Sequence, residues 1–156
     1  MIRYFFSYCK YLWKSKNQHG VHSPFVYAFI TEGIYALPKK NFGKNNRIIT
    51  GLMNHFSIKS VLKKGRPEMD FFLRSIKTKN GSFTLVHIEN PEIAKSLPLN
   101  HNHILLIEKI HENLVFENAW KTILKEHESI VSLDFFNLGI IFVRKEQAKE
   151  HFTLRA

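Results

Sequence analysis

Ligands of open parallel sheets bind beyond the carboxyl ends of the strands. In this chain three candidate ends are Gly65-Arg66, Glu89-Asn90 and Glu108-Lys109-Ile110-His111. A carboxylate in such a place can hold a ribose, because each of two hydroxyls can donate to one of its oxygens. Glu89 is the candidate for that role. It has a plainer reading as an exposed residue beside a helix start, where anions are favoured anyway. The residue pattern favours that plainer reading. The stretch around Gly65 reads VLKKGRPEMD. A turn that cradles a cofactor needs several glycines so that backbone can approach the ligand. This turn has one, and Pro67 removes an N–H donor, so it makes a poor phosphate or cofactor loop.

Nine histidines raise the question of a metal. His101 and His103 flank Asn102, and His19 and His22 are three apart. Neither pair has a cysteine partner, and carboxylates are sparse around both, so no metal site is assigned. His87 falls mid-strand and reads as a packed or edge histidine. Cys9 falls on a helix face and reads as core rather than nucleophile. No GxSxG, P-loop or HExxH sequence is present, and no catalytic residue is assigned.

The elements that would position these residues follow from hydrophobic periodicity. Residues 2–16 (IRYFFSYCKYLWKSK) predict a helix with Phe5, Cys9, Leu12 and Trp13 on one face. That face could lie on a membrane surface; its ordinary core spacing favours packing onto the chain's own domain. Ser23-Pro24 predicts a helix start with a hydroxyl cap, and Val26, Phe29, Ile30 and Ile34 form its buried face. Pro38 to Asn46 reads as a polar loop. A third helix is expected over Arg47 to Ser57, with Ile48, Ile49, Leu52, Met53 and Phe56 inward. Strands are expected over Lys59–Lys64, Ser82–Glu89, His103–Glu108, Ile130–Phe136 and Gly139–Arg144. Helices are expected from Pro67 to Asn80-Gly81, from Asn90-Pro91 to about Leu97, and from Glu112 to His127. The last two strands, split by Asn137-Leu138, predict an antiparallel hairpin. The tail from Lys145 reads as polar.

Strands alternating with helices predict an α/β fold, a mostly parallel sheet with helices on both faces. Its length of 156 residues suits one domain. Residues 1–57 form an N-terminal helical segment packed on the α/β core of 58–156. One cysteine excludes a disulfide framework. The N-terminus lacks a charged leader with an apolar core behind it, and no apolar run approaches the roughly 20 residues of a membrane span. A soluble, cytoplasmic protein is expected.

Charge is uneven. Residues 1–79 carry 15 Lys/Arg against 3 Asp/Glu, a net of +12, while residues 80–156 carry 8 against 10. A basic half can attract nucleic acid, anionic lipid or an acidic partner. The cations are scattered, so a solvated surface is the plainer reading. The 14 Phe, 5 Tyr and 2 Trp imply a heavy core or exposed aromatic patches, one of which could serve as a homodimer face.

Particular stretches resemble a known family. KNQHGVHSPFV (Lys16–Val26) resembles the opening of a group of bacterial class I S-adenosylmethionine-dependent methyltransferases. AWKTILKEHESIVSLDFFNLGIIFVRKEQAKEHF (Ala119–Phe152) resembles their closing stretch. HIENPEIAK (His87–Lys95) looks like their second-strand segment, and HILLIEKIH (His103–His111) like their fifth strand. The resemblance implies a Rossmann-type sheet that binds S-adenosylmethionine through Gly65, Glu89 and Glu108, with Glu89 on the ribose, if cofactor binding is retained. The departures are specific. Lys63 stands where the family's first motif has an acid, and only Gly65 remains of its glycines. Lys109 replaces the second acid after Glu108. Two strands of the family pattern have no room between Lys95 and His103. Removing them from the family order 3-2-1-4-5-7-6 leaves about five strands in the order 2-1-5-7-6. The resemblance thus implies a shortened, degenerate methyltransferase-like domain without catalysis, acting as a binding or scaffold module. An active methyltransferase with an atypical loop, and a nucleic-acid-binding protein using residues 1–79, are the alternatives.

Overall fold

Two strands that are apolar on both faces dictate the layout. Thr84–Ile88 (TLVHI) and His103–Glu108 (HILLIE) must be covered above and below. The computed structural model describes residues 2–40, 43–58, 60–64, 83–98, 100–128 and 130–156. In it these segments, β2 and β3, lie inside a six-stranded mixed sheet with helices on both faces. The other strands are β1 (Ser60–Lys64), β4 (Ile130–Asp134), β5 (Leu138–Val143) and β6 (Glu150–Thr153). Their order is β1-β2-β3-β5-β4-β6. The pairs β1–β2, β2–β3 and β4–β6 are parallel, and β5 runs antiparallel to both neighbours.

This order corrects the expected one. In chain numbering the expectation places β1 between β2 and β3; here β2 separates them, and each β2 residue from Thr84 to Ile88 has a partner on both sides. The physical reason lies in burial. Leu85, Val86 and Ile88 are all buried, which suits an interior strand, while Val61 of β1 is 40% exposed, which suits an edge. The strand count is also six rather than five. Glu150–Thr153 pairs along β4 from Val131 to Asp134 and makes a strand of the tail read as polar.

One face of the sheet carries Leu85, Ile104, Leu106, Leu133, Ile140 and Phe142. It is covered by α2 (Pro24–Ala28), a π-helical turn (Phe29–Ile34) and α3 (Lys44–His55). Val26, Phe29, Ile30, Ile34, Ile48 and Leu52 are buried there, as their spacing predicts. The π turn and α3 approach until a Cβ on Gly51 would sit 2.8 Å from the Gly33 carbonyl oxygen. Ser23 precedes Pro24 as expected, but its hydroxyl makes no capping bond; it accepts from Gln147 Nε2 at 2.9 Å.

The opposite face, with Val86, Ile88, Leu105, Ile107 and Ile141, is covered by α4 (Pro91–Lys95) and α5 (Leu114–Glu126) through Ala94, Trp120 and Ile123. Asn90 and Asn113 cap these helices, each side-chain oxygen accepting from an N–H three residues on. The expected helix after Gly65 lies outside the described residues.

The first helix, α1 (Ile2–Lys14), packs with a different face from the one predicted. Tyr4, Tyr8 and Tyr11 surround the Phe136 ring at centroid distances of 5.1, 4.9 and 5.2 Å. Phe5, Cys9 and Trp13 are exposed. Tyr11 is buried, while Tyr4 and Tyr8 rest on Phe136 and stay partly exposed; a phenol can pack its ring and still satisfy its hydroxyl: Tyr4 donates to Asn137 Oδ1 at 3.0 Å, and Tyr11 donates to the Leu154 carbonyl. Among the described residues no helix is long and apolar enough to cross a membrane.

Candidate functional site

The carboxyl ends of β2 and β3 place two of the three predicted residues side by side. Ile88 pairs with Ile107, so Glu89 and Glu108 follow at neighbouring strand ends. Glu89 is exposed. Glu108 Oε1 lies 2.7 Å from His87 Nε2, so this carboxylate already has a partner on the neighbouring strand. Gly65 lies outside the described residues. An open groove of about 470 Å³ runs from Glu108 and Lys109 past Glu112 to Tyr4, Asn45 and Asn137.

A second constellation sits at the carboxyl end of β4. Asp134 is the last residue of that strand and is buried. Its Oδ2 lies 2.7 Å from His111 Nε2, and its Oδ1 accepts the Phe136 N–H at 2.8 Å. The His111 ring stacks on Phe136 at 5.3 Å, 18° from parallel. Asp134 thereby fixes the histidine's orientation, and Phe136 its plane. With Nε2 engaged, Nδ1 is the nitrogen left for another contact.

The backbone here is unusual. Phe136 has φ 73° and Lys109 φ 61°, both in the left-handed region that bulky residues rarely adopt. The strain is held by neighbours: the Asp134 carboxylate on the Phe136 N–H, and the Asn137 carbonyl accepting the Lys109 N–H at 2.7 Å.

The dyad lines a cleft between α1 and α5 of about 170 Å³. Ser7, Lys10 and Lys14 come from α1, Glu117, Trp120 and Lys121 from α5, and His151 from β6. His151 Nδ1 lies 2.9 Å from Ser132 Oγ. Burial pushes the His151 pKa down, His111 and Lys14 reinforce the shift, and Asp134 opposes it. Burial raises the Tyr11 phenol, with the Asp134 charge adding to the effect. Glu117 shows the opposite balance. Burial would raise its pKa, but the hydrogen bond and charge of Lys121, with His111 and Arg3, bring it below the usual value. Lys121 Nζ is 2.6 Å from Glu117 Oε1 and Arg3 Nη2 3.0 Å from Oε2.

An oriented imidazole beside lysines can bind a small anion or move a proton. The volume is below the roughly 300 Å³ of ordinary ligand pockets. Among the described residues no group of three His, Cys, Asp or Glu side chains comes together as a metal site. His111 lies at a strand end the sequence marks as a ligand position, while Asp134 is hidden inside the run IVSLDFF. The signal that could find it is an acid closing an apolar strand just before a hairpin. No protein-family model matches the chain, and no curated protein or solved structure matches it significantly.

Proposed function

We propose that the chain is a degenerate methyltransferase-like α/β domain that works as a binding or scaffold module and does not transfer methyl groups. The methyltransferase part rests on the stretches Lys16–Val26 and Ala119–Phe152. The loss of catalysis rests chiefly on strand order. A Rossmann-type cofactor occupies the crevice where strand order reverses and successive crossover helices leave on opposite faces. Here the strands that run together progress one way, from β1 through β2 and β3 to β4. The helices linking β2 to β3 and β3 to β4 share one face, so they open no such crevice between them.

The described residues fit S-adenosylmethionine poorly on two further counts. Glu108 is engaged by His87. Over β4 and β6 the strand ends are roofed by α1, whose Tyr11 donates to the Leu154 carbonyl. Glu89 remains an exposed carboxylate of the kind a ribose needs.

Calorimetric titration with S-adenosylmethionine and S-adenosylhomocysteine tests the reading. No heat at about millimolar ligand, with folding verified, is the expected result. Micromolar binding, about −8 kcal/mol, overturns it. Loss of that binding in Glu89→Ala would then assign the ribose contact and return the chain to the enzymes.

A further inference from the structure

We propose that the outward face of α1 docks on the surface of an anionic phospholipid bilayer. The observation is a helix whose packing face and apolar stripe are different faces. Tyr4, Tyr8 and Tyr11 hold α1 against Phe136. On the far side Ile2 is 75% exposed, Phe5 63%, Phe6 65% and Trp13 89%. With Cys9 these residues follow the spacing i, i+3, i+4, i+7, i+11, one continuous stripe at 100° per residue. The helix is about 20 Å long at 1.5 Å per residue. The stripe is therefore a preformed surface held on a folded body.

Charge selects the occupant. Arg3, Lys10 and Lys14 follow one another along the flank of α1 between the stripe and the His111 cleft, whose rim Lys10 and Lys14 also line, and α1 contains no acidic residue. Arg3 is committed to Glu117, whereas Lys10 and Lys14 make no ion pair among the described residues. A second copy of the chain would set these cations against their own kind. An anionic headgroup layer would neutralise them while its acyl boundary takes the phenylalanines and the tryptophan, which sits at the helix end where interfacial aromatics serve as anchors. The chain's net charge of +10 acts in the same direction at longer range. A surface-lying helix needs no membrane-spanning length. The inference does not depend on the cofactor reading, since vesicle binding and cofactor titration are separate measurements.

The test uses the full chain with phosphatidylglycerol–phosphatidylcholine vesicles and with phosphatidylcholine alone. Cys9, the single cysteine, lies within the stripe and takes an environment-sensitive fluorophore. Co-sedimentation with the anionic vesicles, a blue shift of the Cys9 label and weakening by salt are expected. Phe5→Ser/Phe6→Ser/Trp13→Ser changes exposed positions and should abolish binding with the fold intact by circular dichroism. Lys10→Gln/Lys14→Gln should weaken it about 25-fold, at about fivefold per cation near the surface. Three results overturn the proposal: a folded protein that stays in solution with both vesicle types, equal salt-independent binding to both, or concentration-dependent dimers cross-linked through Cys9 without vesicle binding.

Discussion

His103 opens β3 with its imidazole buried, and its Nε2 has no hydrogen-bond partner among the described residues. Burial lowers its pKa, and His101 nearby adds to the shift. His151 moves the same way. Both therefore hold their protons less tightly folded than unfolded, where a histidine titrates near 6.5. The stability each contributes is complete above that pH and is lost as pH falls through the lower folded value. The urea midpoint should drop between about pH 7.5 and about pH 5, and His103→Leu should flatten the drop. A wild-type midpoint that does not move would reject the assignment. Residue chemistry was only partly readable beforehand. Glu89 could be placed at its strand end because Asn90-Pro91 marks the helix start that follows it. The Asp134–His111 pair could not, because its members come from the ends of strands that β5 separates, and no sequence spacing encodes that gap.

At the level of elements, the π turn and α3 meet backbone to backbone at Gly33 and Gly51. A methyl group on Gly51 would press on the backbone of Gly33, which cannot rotate away as a side chain can. Gly51→Ala should cost about 1–3 kcal/mol, the usual range for overpacking, although alanine is the better helix former. A chemical-denaturation midpoint at or above that of the parent would show that the two helices separate freely. The same elements mark where sequence reading works. His103–Glu108 is recoverable to the residue because its short apolar run is bounded by polar residues. The face of α3 follows from Ile48 and Leu52. The reading fails where partners decide. EHFT has no strand pattern of its own and becomes β6 only against Val131–Asp134. In α1, apolar spacing pointed to Phe5 and Trp13, while the inward face went to tyrosines whose hydroxyls find acceptors at Asn137 and Leu154. The exchange of β1 and β2 in the sheet is a matter of neighbours, which periodicity does not contain.

Across the whole molecule the two ends of the described chain clasp one another. The Lys16 N–H donates to the Thr153 carbonyl at 2.8 Å, and the Arg155 N–H to the Lys16 carbonyl at 3.0 Å. Arg155 Nε donates to Ser15 Oγ at 2.8 Å, and Tyr35 Oη to the Arg155 carbonyl at 2.7 Å. Tyr11 is the centre of this arrangement, donating to the Leu154 carbonyl and accepting from Lys44 Nζ at 3.3 Å. Burial already lowers the pKa of Lys44, with Asp134 holding it up and Arg47 pressing it further down. Tyr11→Phe keeps the ring on Phe136 but strands a carbonyl and an amine, a cost of about 1–3 kcal/mol. Much of α1's surface faces outward, so that cost should fall first on its local opening rather than on the sheet. Hydrogen exchange should then quicken in α1 by about tenfold or more, while β3 amides slow exchange almost as before. Equal loss of protection in both would mean that α1 and the sheet unfold as one unit. The separate opening matters for function, because α1 supplies one wall of the cleft around His111 and Asp134. A ligand of the outer stripe shifts the covering of that cleft only by the difference between its affinities for the docked and the opened helix.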